Sequence, residues 1–136
     1  MKIPNLKKKA FQIDLGIYPF TVFVCFKDLK CLKSTLEEYR FKIDADSIEN
    51  ILQDVERYAK TSTAIALQLN NGNIVLYFKM DCLYDGNYLI NTITHEVFHA
   101  TQMILERIGL KLHKKKNDEA FCYLNGYINE KIFDQI

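Results

Sequence analysis

The sequence predicts a small α+β domain: an antiparallel sheet with a covering helix, then a motif-bearing helix and a last helix. Three observations predict it. Short runs of β-branched and aromatic residues fill the first third and the middle of the chain. An Asn-Gly dipeptide separates the two central runs. Two long stretches near the C-terminus carry apolar residues at helical spacing. With 136 residues, 49% hydrophobic and 26% charged, residues 1–136 suit one domain with a real core and are too apolar for disorder.

In chain order, Ala10 to Ile17 and Phe20 to Lys27 read as strands around the turn signal Tyr18-Pro19. Lys7, Lys8 and Lys9 before the apolar run Leu15 to Phe26 mimic a signal peptide. Asp14 and Pro19 interrupt that pattern, no small-residue cleavage site follows, and the run is too short to span a bilayer. Asp28 to Tyr39 is helix-compatible through Leu29, Leu32 and Leu36. Asp46 to Lys60 is a stronger helix, capped by Asp46 or Ser47, with Ile48, Ile51, Leu52, Val55 and Tyr58 or Ala59 on one face.

Ala64 to Leu69 and Ile74 to Met80 then form a hairpin around Asn71-Gly72, because a type I′ turn needs positive φ at both central positions. Asp85-Gly86-Asn87 is a further turn. A helix follows from about Tyr88 to Ile108 and stops at Gly109, with Leu89, Ile90, Ile93, Val97, Ala100, Ile104 and Ile108 as its stripe. After the polar loop Lys111 to Asn117, the last helix starts at Asn117 or Asp118 and carries Phe121, Leu124, Ile128 and Ile132.

Eighteen Lys and Arg against 17 Asp and Glu leave a net charge of +1, which argues against a nucleic-acid or membrane-surface partner. Cys25, Cys31, Cys82 and Cys122 form no CxxC pair, so they read as buried, reduced cysteines of a cytoplasmic protein.

Chemistry concentrates in Thr94-His95-Glu96-Val97-Phe98-His99, an HExxH motif inside a predicted helix. Residues four apart sit nearly one above the other, so both imidazoles project from one face and can reach one Zn²⁺. Glu96 points to the side, where it can act as general base on a water that the metal acidifies. Two of the three histidines of the chain lie in this pentapeptide. A catalytic zinc needs a third protein ligand. Glu119 is the first candidate, on a helix expected to fold back antiparallel onto the motif helix. It shares a face with Cys122, Tyr123 and Gly126, and Gly126 would permit close approach. His113, in a lysine-rich loop, and Asp118 are the alternatives.

These residues resemble the active-site helix of the zincin metallopeptidases. The downstream Asp118-Glu119-Ala120 resembles the gluzincin branch, and the pattern over roughly 74–130 is similar to small single-domain zincin-like proteins of phages and bacteria. The resemblance implies a zinc-dependent metallopeptidase with a sheet above the metal. It also implies a substrate cleft lined by the strand before the motif helix, here Ile74 to Met80. Larger gluzincins carry an acidic residue four positions after the ligand Glu. That position is Tyr123, expected here to donate a hydrogen bond toward the cleft.

The expected partner is a peptide or protein substrate, bound antiparallel along Ile74 to Met80 by strand addition. If that strand is internal, recognition falls to the loops Asp81 to Asn87 and Lys111 to Asn117. The competing reading is a non-catalytic or regulatory zincin-fold protein that binds a partner protein; a purely structural zinc is the third.

Overall fold

The computed structural model describes residues 8–40, 47–79, 86–111 and 117–136. The alternative cap Asp46, the strand end Met80, Cys82, Asp85 of the second turn, and His113 with residues 112–116 lie outside these.

The fold is α+β. Strands β1 (Ala10–Asp14), β2 (Thr21–Phe26), β3 (Ala64–Gln68) and β4 (Ile74–Phe78) form one sheet in the order β1-β2-β4-β3. Both hairpins, β1 with β2 and β3 with β4, are antiparallel, but β2 and β4 pair in parallel. The sheet is therefore mixed, not wholly antiparallel as expected. The reason lies in composition. Thr-Val-Phe-Val-Cys-Phe and Ile-Val-Leu-Tyr-Phe are buried at every position, and such runs belong in a sheet centre covered on both faces. Each hairpin then sends its more polar partner, β1 or β3, to an edge.

Four helices make the covering layers: α1 (Leu29–Glu38), α2 (Ile48–Ala59), α3 (Gly86–Arg107) and α4 (Asp118–Phe133). Strand side chains alternate between faces. Phe23, Cys25, Val75 and Tyr77 pack with Leu32 and Leu36 of α1 and with Ile51 and Val55 of α2. Val22, Val24, Phe26, Ile74, Leu76 and Phe78 pack with Ile93, Val97 and Ile104 of α3 and with Leu124, Ile128 and Ile132 of α4. The first face thus carries two covering helices, where the sequence suggested one.

Local signals set the ends. The Asp28 carboxylate accepts from the amides of Lys30 and Cys31, and Ser47 Oγ accepts from Asn50. Gly72, at φ +96°, makes the β3–β4 turn, where an added Cβ would run into the Phe20 ring. Past α3, the Leu110 amide donates to the Leu105 carbonyl at 2.8 Å around Gly109, whose φ is +86°. Among the described residues no helix is long and apolar enough to cross a membrane. Cys25 is buried as expected, but Cys31 is half-buried and Cys122 exposed.

Candidate metal centre

The rotation of α3 positions the motif. Leu89, Ile93, Val97, Ala100 and Ile104 are buried and turn one stripe of the helix to the sheet. Ile90 and Ile108, expected on that stripe, are 49% and 41% exposed; Thr101 and Leu105 take the burial instead. Glu96 precedes Val97 by one residue, a rotation of about 100°. That places it at the edge of the stripe, where it is buried at 8% exposure. His95 and His99 lie further round and are exposed.

The two imidazoles converge, with His99 Nε2 3.1 Å from His95 Nε2. Two nitrogens bound to one tetrahedral zinc at about 2.0–2.1 Å stand roughly 3.3 Å apart. The pair thus matches one edge of such a site with little rearrangement. As neutral rings, the same atoms share a hydrogen bond, one donating and one accepting according to tautomer. Glu96 lies close enough to feel both rings. Burial pushes its carboxyl above the ordinary range, and His95 and His99 pull it back in part.

Two adjoining hollows share Glu96 as a wall. One, about 490 Å³, is bordered by Thr61 to Ala64, Tyr88, Asn91, Thr92 and His95. The other, about 300 Å³, is bordered by Tyr58, Ile65, Ala66, Leu67 and His99. Both open along β3, the sheet edge beside α3. The strand before the motif helix, β4, is internal, paired by β2 on one side and β3 on the other. It has no free edge over Ile74–Phe78, so peptide addition along that strand is ruled out.

The ladder shows which β3 groups are free. The Leu69 amide donates to Asn73 O, and the Lys79 amide donates to Thr63 O. Bonded pairs alternate along an antiparallel ladder. Residues 65 and 67 therefore bond to β4, while the amides and carbonyls of Ala64, Ala66 and Gln68 face outward.

The predicted residues of α4 do not join this group. Asp118, Glu119, Cys122, Tyr123 and Gly126 lie on the solvent-facing side of the helix, with Tyr123 75% exposed. A Cβ added at Gly126 meets nothing within 4 Å, so no close approach occurs there. The cause is the buried stripe Leu124, Ile128 and Ile132, which fixes the rotation of α4 and turns the Glu119 face outward. Phe98 meets Phe121, and Thr101 Oγ1 lies 3.4 Å from Asn125 Oδ1, so these two contacts advance in the same sense along both helices. Among the described residues no three His, Cys, Asp or Glu side chains gather to hold a metal ion, so Glu119 does not stand with His95 and His99.

Sequence reasoning missed Tyr58, Thr61 to Thr63 and the β3 edge. One signal was available: Ala-Ile-Ala-Leu-Gln is smaller and more polar than Ile-Val-Leu-Tyr-Phe, which marks β3 as the outer strand. Comparison with known protein families, curated proteins and solved structures returned no match.

Proposed function

We propose that the protein is a zinc-dependent metallopeptidase that holds its metal through His95 and His99 and uses Glu96 as general base. The observation that carries this reading is the convergence of the two imidazole nitrogens at 3.1 Å beside a buried carboxylate. When bound, zinc supplies Lewis-acid polarisation and makes water acidic near neutral pH. The chain supplies the rest. Burial makes Glu96 a stronger base than an exposed glutamate, suited to accept a proton at the rim of the groove. The free edge of β3 can hold a peptide backbone, with outward amides and carbonyls at Ala64 and Ala66 beside both hollows. An antiparallel peptide makes the more stable ladder.

A third donor completes the site in this reading, and Glu119 and His113 are its candidates. Metal titration of Glu119→Gln and His113→Ala separates them. Free thiols at Cys25, Cys31 and Cys122 suit a reducing cytoplasm.

A second reading, a non-catalytic zincin-like protein that binds a partner, is favoured by the outward turn of Glu119 and Tyr123. Hydrolysis of an unfolded protein decides between the two. Zinc-loaded wild type cleaves it and Glu96→Gln does not, while both retain the metal. Equal rates from the two proteins contradict the peptidase reading.

A further inference from the structure

We propose that the groove reads the order of two neighbouring side chains: a large apolar residue, then a small polar uncharged one. This rests on the peptidase reading above and on an extended peptide lying antiparallel to β3. The two hollows on either side of Glu96 differ in chemistry. Beside His99 the lining is Tyr58, Ile65, Ala66 and Leu67, apart from the motif residues. Beside His95 it is Thr61, Ser62, Thr63, Asn91 and Thr92, with Tyr88 and Ala64. Glu96 is common to both, so the change in chemistry falls at the proposed reacting bond.

Direction follows from the strand. β3 runs from Ala64, beside the polar hollow, to Leu67, beside the apolar one. An antiparallel peptide meets Leu67 first, so its N-terminal residue takes the apolar hollow and the next residue takes the polar one. Ile65 and Leu67 pack on the α1–α2 side of the sheet, and Tyr58 of α2, 47% exposed, borders the apolar hollow with them. Asn91 and Thr92 project from α3 on the other side. Both hollows reach α3 at Glu96, and what differs along β3 is the lining a neighbouring pair of peptide side chains would meet. At about 300 Å³ the apolar hollow has room for a leucine or phenylalanine side chain. Apart from the motif residues, no Asp, Glu, Lys, Arg or His among the described residues lines either hollow, so a charged side chain at either position finds no opposite charge among them.

The test measures binding of labelled peptides to the full-length Glu96→Gln protein by fluorescence anisotropy. The peptides carry Leu-Ser, Ser-Leu, Leu-Lys or Asp-Ser at the central pair. Leu-Ser is expected to bind about tenfold more tightly than Ser-Leu, in line with burial of one large apolar side chain. Tyr58→Ala is expected to erase most of that difference. The Tyr58 ring is half-exposed on α2, so its truncation leaves the core intact. Equal binding of the two orders, a preference for Ser-Leu, or no binding of any peptide overturns the inference. Cleavage of an unfolded protein by wild type, measured in parallel, keeps the two ideas apart. Order-selective binding without cleavage sinks the peptidase reading alone, and cleavage without order preference sinks this inference alone.

Discussion

The two faces of the sheet are built for different ends. On the α1–α2 face the buried set is Phe23, Cys25, Leu32, Leu36, Val55, Val75 and their neighbours, with no buried Asp, Glu, Lys, Arg or His among the described residues. On the α3–α4 face a comparable apolar set surrounds Phe26, Phe78 and Ile104, but α3 also buries Glu96 at the rim and Thr101 deeper in. Thr101 is satisfied, since its hydroxyl donates to Val97 O at 2.8 Å. Glu96 is held where burial disfavours its charge. A carboxylate in that position lowers stability, and structure alone gives no reason to keep it. Its place near both imidazoles and beside a free strand edge is what the proposed site would use. Among the described residues, one face is packing alone; the other carries the proposed site.

The largest effect that tests this contrast is on the plain face. Phe23→Ala is expected to destabilise the protein by about 3–5 kcal/mol, as for a fully buried aromatic. Denaturant titration checks it. A loss below 1 kcal/mol would mean the α1–α2 layer contributes little to the fold.

A smaller effect of opposite sign is expected on the site face. The folded state holds the Glu96 proton to higher pH than the unfolded chain does. Its stabilising contribution is therefore complete below the ordinary Glu value of about 4.3 and lost as pH rises through the raised folded value. Metal-free Glu96→Gln is accordingly more stable than wild type at pH 7, and the gap closes below about pH 4. Denaturation curves at the two pH values measure it. Wild type being the more stable at pH 7 would remove the contrast between the faces.

The smallest effect on the fold comes from the strand edge. The Ala66 amide faces outward, so Ala66→Pro breaks no ladder bond, whereas Val75→Pro removes one from an internal strand. Ala66→Pro is expected to stay folded and to bind extended peptides several-fold more weakly. Val75→Pro is expected to unfold. Peptide binding unchanged in folded Ala66→Pro would exclude strand addition at β3.

The elements were legible because each carried a local signal. Asn71-Gly72 marked the hairpin, Ser47 a helix start, Gly109 a helix end, and the spacing of His95 and His99 the motif face. What was not legible depended on assembly. Periodicity finds β2 and β4 as strands but does not say that they pair in parallel. The rotation of α4 follows the Leu124, Ile128 and Ile132 stripe and not Gly126, which marks no close contact. The groove escaped notice because Tyr58, Ser62 and Ala66 come from three successive elements without a shared motif.

The central claim is that His95 and His99 are two ligands of one metal. Zinc bound per chain, measured by elemental analysis after equilibrium with buffered zinc, tests it most directly. The account predicts about one zinc in wild type and in Glu96→Gln, and a loss of most of it in His95→Ala and in His99→Ala. Full zinc in either alanine variant, or none in wild type, would contradict it.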